Sequence, residues 1–268
     1  LATHGRGIYI IDDITPLREL TADILNKKVA FLKSEPVIIS LQRSQQHWSG
    51  GGEFVGSNPS EVANITYYLK RRHIFGDMRV EIYDADSNLV KSLPGGKRRG
   101  INRVESAMRE KPPRVSRSRV IAGGAMSGPM VPEGEYTVKL IKGKNEFETT
   151  LSVRADPDSP HSKADRKLRS KTVWKLYEMQ GRLAYITDVM QNASDQADDL
   201  GEKLKKKERL RKELKQFSGE LQGLRKSLVA TRLGGITGEE KLREKIVGLY
   251  SAVIGYGGRP TQTQLNRV

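Results

Sequence analysis

The sequence contains no cysteine, and this absence excludes disulfide bonds, thiolate-held zinc sites and cysteine nucleophiles. Its four histidines are too scattered for two of them to share one helix face as metal ligands do: His4, His47, His73 and His161. Aromatic residues make up only 6% of the chain, and no apolar run approaches the roughly 18 to 20 residues that a bilayer-crossing helix needs. We therefore expect no metal site, no cofactor and no membrane span.

Acidic residues are scarce relative to basic ones, because 47 Lys and Arg stand against 32 Asp and Glu and give a formal charge of +15. Such an excess attracts polyanions through salt-screened forces. The densest basic run, residues 203–212, has no interleaved aromatic residues of the kind that stack on nucleic-acid bases, so a solvated helix surface is favoured. A second basic cluster lies in a predicted loop and supplies candidate ligand-binding residues: Lys97, Arg98 and Arg99.

The first part of the chain, up to residue 156, is rich in β-branched and aromatic residues broken by Gly, Pro and Asn, which is typical of short strands. The pattern predicts strands at residues 7–12, 29–33, 37–41, 63–70, 79–84, 89–93, 101–108, 134–141 and 147–153. A capping Thr15 followed by Pro16 predicts one helix with the apolar stripe Leu17, Leu20, Ile24 and Leu25. No helix long enough for a parallel crossover separates the later strands, so we expect an antiparallel β-sandwich.

Two long loops interrupt these strands, at residues 42–58 and 110–132, and loops of such length are often functional or mobile. The first contains His47 and Trp48, which are the second set of candidate ligand-binding residues. A tryptophan here is suited either to stacking on a sugar ring or anchoring a partner, or to packing at the edge of the core.

The second part of the chain, after two prolines at positions 157 and 160, is rich in helix formers. One apolar seam has alternating spacings of four and three residues, which predicts a coiled-coil-like helix: Leu210, Leu214, Phe217, Leu221, Leu224 and Leu228. Two other stripes predict helices before and after it, Val173, Leu176, Leu183 and Met190, then Leu242, Ile246, Leu249 and Val253. We expect these helices to pack as an antiparallel bundle, and Pro260 with Thr261 to begin a further helix.

No group of residues has the spacing of a reaction centre. Asp84, Asp86 and Asn88 alternate as in a calcium loop, but the later Gly and Glu positions of an EF-hand loop are not matched, so a hairpin turn is favoured. The adjacent carboxylates Asp12 and Asp13 would point to opposite faces of a strand. We therefore predict no catalytic residue and no enzyme activity for the chain itself.

Several stretches together resemble a known arrangement. Residues 3–13, THGRGIYIIDD, followed by TPLR at 15–18, resemble the closing strand of the last blade in bacterial proteins with sortilin-type or BNR-type β-propellers, often labelled glycosyl-hydrolase-like. Such propellers are followed by a sandwich that is similar to the Ig-like repeats of flagellar-hook and secretion-tail proteins. Four stretches of this chain resemble that sandwich: residues 67–70, 80–84, 100–104 and 131–138. Residues 255–262 resemble the turn before the last helix of the bundle. The sequence departs from the family pattern after residues 101–105, where Ser106 stands in place of Trp.

The resemblance implies an α+β multidomain chain in three parts: a blade remnant with a linking helix at 1–33, an antiparallel Ig-like β-sandwich at 34–156, and a truncated three- to four-helix bundle or coiled-coil hairpin at 157–268. It implies a non-catalytic structural or recognition region of a larger exported bacterial protein. The chain begins with Leu1 rather than Met, so we expect a piece of a longer precursor.

The expected partners are the missing propeller of the parent and a second copy held through the bundle. One alternative is a carbohydrate-binding accessory region of a glycosidase-like protein, with a glycan as ligand. A second alternative is binding of a polyanion or nucleic acid through the basic surface, of which nucleic acid is the less favoured.

Overall fold

The computed structural model describes residues 2, 3, 5, 7, 8, 13–39, 62–204, 206–232 and 239–268. They form a mixed structure of sheets and helices, which confirms this coarse part of the predicted fold class. The chain divides into two compact units. The sheet unit comprises Leu1–Glu110 and Met130–Ser159, and the helical unit comprises Lys111–Pro129 and Pro160–Val268.

The sheet unit contains a strand pair, a three-stranded sheet and a five-stranded sheet within the described residues. Its strands are β1 (Ala2–Thr3), β2 (Gly7–Ile8), β3 (Val29–Leu32), β4 (Val37–Ile39), β5 (Ala63–Leu69), β6 (Met78–Tyr83), β7 (Leu89–Pro94), β8 (Gly100–Ser106), β9 (Gly134–Lys142) and β10 (Asn145–Ala155). Strand order is β3-β5-β8 in the smaller sheet and β4-β10-β9-β6-β7 in the larger one.

The expectation of purely antiparallel pairing is wrong for one pair, because β4 runs parallel to β10 with Val37 opposite Val153. The chain passes directly from β3 in one sheet to β4 at the edge of the other. No hairpin joins β4 to β10, so nothing forces the two strands to run in opposite directions.

Both sheets contribute side chains to one hydrophobic core. Ile65 and Tyr67 come from the smaller sheet, and Val80, Val138 and Leu140 come from the larger one. Burial alternates along β6, as the period of a strand with one buried face requires.

The single helix predicted after Thr15 is instead two short helices, α1 (Thr15–Arg18) and α2 (Ala22–Asn26). Thr15 is the first helical residue of α1 rather than its cap, which is Ile14. Thr21 caps α2, since its hydroxyl accepts a bond from the Ile24 amide at 3.4 Å. That capping geometry holds Thr21 in an extended conformation, which ends the first helix.

The helical unit contains α3 (Lys163–Lys203), α4 (Glu208–Leu228), α5 (Leu242–Gly255), α6 (Gln262–Asn266) and a 3₁₀ turn (Gly123–Met126). Ser162 and Asp165 cap α3 reciprocally, each side chain accepting a bond from the other residue's backbone amide. The core of this unit is formed by Val173, Leu176 and Leu183 of α3 against Ile246, Tyr250 and Val253 of α5.

The segment Lys111–Pro129, called the strap below, belongs to the helical unit although it lies in sequence between strands β8 and β9. The long loop predicted at residues 110–132 was expected to be presented by the sandwich. The strap is held by helical residues instead: the Tyr250 hydroxyl donates to the Ser127 carbonyl at 2.8 Å, and Thr187 bonds Ser116 at 3.0 Å.

Candidate binding surfaces

One end of the sheet unit gathers basic residues from four separate stretches of sequence. Val29 pairs with Leu69, and Leu69 pairs with Gly100, so the start of β3, the end of β5 and the start of β8 lie side by side. In the larger sheet, Met78 pairs with Lys142 at the corresponding end. We call this the cationic end, and its basic residues are Lys27, Lys28, Lys70, Arg71, Arg72, Lys97, Arg98, Arg99, Lys142 and Lys144.

The two loops that carry most of these residues are bonded to each other. The first joins β5 to β6 and the second joins β7 to β8. The His73 amide donates to the Lys97 carbonyl at 3.0 Å, and the Lys97 ammonium donates to the Gly76 carbonyl at 2.8 Å. The cations of the two loops are therefore held on a single surface.

Hydrogen bonds from the side chains of Asn102 and Tyr67 hold the backbone of the second loop in place. The buried Asn102 side chain accepts a bond from the Arg98 amide at 3.2 Å and donates to the Arg98 and Gly100 carbonyls at 2.8 and 3.1 Å. The Tyr67 hydroxyl donates to the Gly96 carbonyl at 2.8 Å. Burial raises the pKa of Tyr67 to about 12, so the hydroxyl remains a donor even near pH 10, where an exposed tyrosine would be half ionised.

The loop cations are poorly compensated by nearby acids. Within the described residues, no ion pair neutralises four of the guanidinium groups: Arg71, Arg72, Arg98 and Arg99. The nearest acids in sequence are Asp77, which ends the first loop, and Asp23 in α2, while Glu146 is paired with Lys139 at 3.5 Å. The cationic end therefore carries a strong net positive charge.

Two large apolar side chains protrude from the same loop. Phe75 is 84% exposed and Ile74 is 68% exposed, and both follow directly after Arg71, Arg72 and His73. Exposure of a single apolar residue is ordinary, but two adjacent ones at a loop tip among uncompensated cations form a mixed apolar and cationic surface. This surface is suited to an anionic ligand with an apolar part.

The structure places the predicted candidate residues unequally. Lys97, Arg98 and Arg99 lie at the cationic end, where sequence reasoning missed the adjoining Arg71 and Arg72. His47 and Trp48 lie outside the described residues, as does the whole 42–58 loop. One signal could have found Arg71 and Arg72. The predicted strand 63–70 ends just before them and the predicted strand 101–108 begins just after Arg99, so antiparallel pairing of these two strands would bring the two basic clusters together.

The alternating Asp84, Asp86 and Asn88 form a hairpin turn between β6 and β7. One Asp84 carboxylate oxygen accepts bonds from the Asp86 and Asn88 amides at 3.0 and 2.8 Å. Bonds from the Asn88 side chain and backbone hold the pKa of Asp84 below its usual value. The carboxylate is thus used within the turn, and the part of the chain that the structure describes contains no group of three or more potential metal ligands.

The predicted seam of α4 is divided between two environments. Its members at seven-residue spacing, Leu210, Phe217 and Leu224, are between 39% and 54% exposed. The intervening Leu214, Leu221 and Leu228 are half-buried. The contact between α4 and α3 is not formed by the apolar seam alone. It includes a polar pair, since the hydroxyls of Ser218 and Ser194 are 2.9 Å apart and both residues are buried.

A buried ion pair anchors the strap to the start of α5. The Arg243 and Glu244 side chains are only 5% and 8% exposed, and their nearest polar atoms are 3.1 Å apart. Glu244 also accepts bonds from the Ser118 hydroxyl at 2.8 Å and the Ala230 amide at 3.1 Å. Arg243 donates to the Val120 carbonyl at 2.9 Å. Both charged groups bond to protein partners, although the buried Arg243 Nε has none, and this arrangement indicates a structural role.

Comparison with known proteins gives no match for this chain to any family model, curated protein or solved structure. Among the helices of the described residues, none combines the length and apolarity that crossing a membrane requires.

Proposed function

We propose that the chain is a non-catalytic structural and recognition region of a larger protein, in which an Ig-like β-sandwich and a helical bundle follow a β-propeller. The propeller part of the proposal depends on the sequence resemblance of residues 3–18. The role in recognition depends on the exposed apolar stripe of α4.

The strand order supports an Ig-like sandwich. The sets β3-β5-β8 and β4-β10-β9-β6-β7 share one core. Most consecutive strands change sheet, whereas β6-β7 and β9-β10 pair as hairpins within one sheet, and this order agrees with a two-sheet sandwich. The Tyr136 hydroxyl donates to the Pro132 carbonyl at 2.7 Å, four residues upstream. This bond is similar to the tyrosine corner of Ig-like domains, where a tyrosine near the start of a late strand bonds back to the preceding backbone.

The observation that carries the recognition role is the exposure of Leu210, Phe217 and Leu224 on a helix whose adjacent side already contacts α3. These side chains repeat every seven residues, so they form one stripe about 21 Å long. A stripe of this kind is stabilised when a second helix covers it.

The symmetry of the stripe favours a second copy of the chain as its partner. Leu210 and Leu224 each lie seven residues from Phe217, so a two-fold axis at Phe217 would place each leucine against the other leucine of the partner helix. A surface that matches itself in this way satisfies the condition for a two-fold interface. Because the stripe is short, we expect a weak dimer, with a dissociation constant of roughly 10 to 100 µM.

The test is the solution mass of the chain by sedimentation equilibrium from about 5 µM to about 200 µM, a range that spans the expected dissociation constant. We expect the mass to rise toward twice 30.0 kDa with concentration. Phe217→Glu should keep the chain monomeric, since it places two carboxylates against each other at the axis. Leu89→Glu, which changes an equally exposed leucine of the sheet unit, is the matched control and should dimerise normally. A constant mass of 30.0 kDa for the unaltered chain would refute self-association.

The carbohydrate-binding alternative depends on Trp48, which lies outside the described residues, and it stays a prediction.

A further inference from the structure

We propose that the cationic end of the sheet unit is a docking site for an anionic phospholipid surface, with the side chains of Phe75 and Ile74 entering the headgroup region. This inference is independent of self-association through α4.

Charge complementarity is the first argument. The pairing of Val29, Leu69 and Gly100 places lysine and arginine residues from three loops at one edge of the sheet unit. Each Lys or Arg near an anionic lipid surface contributes about 1 kcal/mol of attraction at moderate salt. Several uncompensated cations on one surface therefore supply a substantial electrostatic attraction.

The exposed apolar pair is the second argument. Basic residues alone give weak and salt-sensitive membrane binding, and a stable peripheral association needs a second, apolar contribution. Phe75 and Ile74 are the most exposed large apolar side chains of this end, at 84% and 68% exposure. Since they lie in the same loop as Arg71 and Arg72, both contributions can act on one lipid surface at once.

The composition of the tip favours a lipid surface over a single-stranded nucleic acid. Nucleic-acid platforms use aromatic rings on which successive bases stack, and an aliphatic side chain such as Ile74 has no such face. Phe75 is the one Phe, Tyr or Trp among residues 70–77, the first loop of the cationic end, and the imidazole of His73 is half-buried. An adjacent Ile and Phe are better suited to the boundary between headgroups and acyl chains.

The internal bonds of the two loops also fit this role. The His73–Lys97 backbone bond, the Lys97–Gly76 bond and the Asn102 clamp hold the loops in place without using the guanidinium groups of Arg71 and Arg72. The surface is therefore formed before binding, and lipid headgroups would not have to displace internal ion pairs.

The proposal is tested by cosedimentation of the full chain with vesicles of phosphatidylcholine that contain about 30 mol% phosphatidylglycerol, compared with phosphatidylcholine alone. We expect binding only to the anionic vesicles, and its loss at about 0.5 M NaCl. Arg71→Glu with Arg72→Glu should lower the partition coefficient at least about thirty-fold, the combined effect of two lost cations.

Two matched controls separate this site from general basicity. Lys212→Glu with Lys215→Glu makes the same change of net charge on the exposed side of α4 and should alter binding less than about threefold. Ile74→Ser with Phe75→Ser should weaken binding about tenfold or more without changing the thermal unfolding of the chain, because both side chains are exposed. Ile121→Ser, which alters an equally exposed residue of the strap, should have no effect.

Three outcomes would overturn the proposal. The first is the absence of binding to anionic vesicles at low salt. The second is an equal loss for the α4 charge reversals, which would attribute binding to overall charge. The third is undiminished vesicle binding by the Ile74 and Phe75 variant together with tighter binding to single-stranded DNA, which would identify a nucleic-acid surface.

Discussion

Removal of the Glu244 carboxylate is expected to destabilise the helical unit strongly. Glu244→Ala leaves the Arg243 guanidinium buried without a counter-charge, and it leaves the Ala230 amide without its acceptor. Breaking a buried ion pair by removing one partner costs about 3 to 5 kcal/mol, because the remaining charge stays desolvated. We therefore expect the free energy of unfolding of this unit to fall by that amount.

A series of variants separates charge from hydrogen bonding at this position. Glu244→Gln keeps an acceptor oxygen for Ser118 but removes the charge, so we expect a loss of about 1.5 to 3 kcal/mol. Adding Arg243→Met to Glu244→Ala removes the orphaned cation and should recover part of the alanine variant's loss. Glu240→Ala, at an exposed position just before α5, is the control and should change stability by less than about 0.5 kcal/mol.

The assay is urea unfolding followed by tryptophan fluorescence. The chain has two tryptophans, and Trp174 lies in α3, so a Trp48→Phe background makes the signal report on the helical unit alone. The free energy follows from the midpoint and the slope of the transition. A loss below about 1 kcal/mol for Glu244→Ala would refute the view that this ion pair anchors the strap.

Two further changes test the packing of each unit. The pKa of Tyr67 rises from 10.0 to about 12 on burial, so above pH 10 the native state keeps a proton that the unfolded state releases. The sheet unit should therefore lose about 2 kcal/mol of stability as pH rises from 10 to 12. Tyr67→Phe should abolish this residue's share of the stability loss at alkaline pH. At neutral pH it should cost about 1 kcal/mol, since the Gly96 carbonyl loses its donor. An unchanged pH profile of unfolding in this variant would contradict the reasoning. A Cβ atom at Gly124 would overlap the Ser251 side chain of α5, so Gly124→Ala should destabilise the helical unit by about 1 to 3 kcal/mol in the urea assay. Gly123→Ala meets nothing within 4 Å and should change stability by less than about 0.5 kcal/mol; equal effects of the two variants would argue against the contact.

The strands could be predicted because their sequence pattern is local. The strand expected at 79–84 is observed at Met78–Tyr83, and the expected turn with Asp84, Asp86 and Asn88 lies between the paired strands β6 and β7. Alternation of apolar and polar residues and the conformational preferences of Asp, Asn and Gly act over a few residues. Neither depends on knowing the rest of the fold.

The break between α1 and α2 could not be read from the apolar stripe. Leu17, Leu20 and Ile24 fit one helical period, yet Thr21 caps a new helix there. A threonine is compatible with a helix interior and with a cap, and the tertiary contacts decide between them. Here the Lys33 amide donates to the Glu19 carboxylate at 2.5 Å, in the turn that follows α1.

The cationic end could be predicted only in part, because its residues are brought together by sheet register. Lys97, Arg98 and Arg99 are contiguous and visible in the sequence, whereas Arg71 and Arg72 are about 25 residues away and join them through the pairing of Leu69 with Gly100. The sequence did not indicate that the strap belongs to the helical unit, for a similar reason. Its contacts are single polar bonds to distant residues, such as that of Ser118 to Glu244, and no periodic pattern marks them.

The exposed stripe of α4 and the polar contact between α3 and α4 have one geometric cause. Phe217 and Ser218 are neighbours in sequence, so their side chains lie about 100° apart around the helix. Rotation of α4 to bury Phe217 against α3 would withdraw Ser218 from Ser194 and would also break the bond from Gln222 to Ser194 at 3.0 Å. Because the buried hydroxyls would then lack partners, the helix keeps its small polar face against α3. The apolar stripe is thereby left exposed, which is the arrangement that the proposed self-association through Phe217 requires.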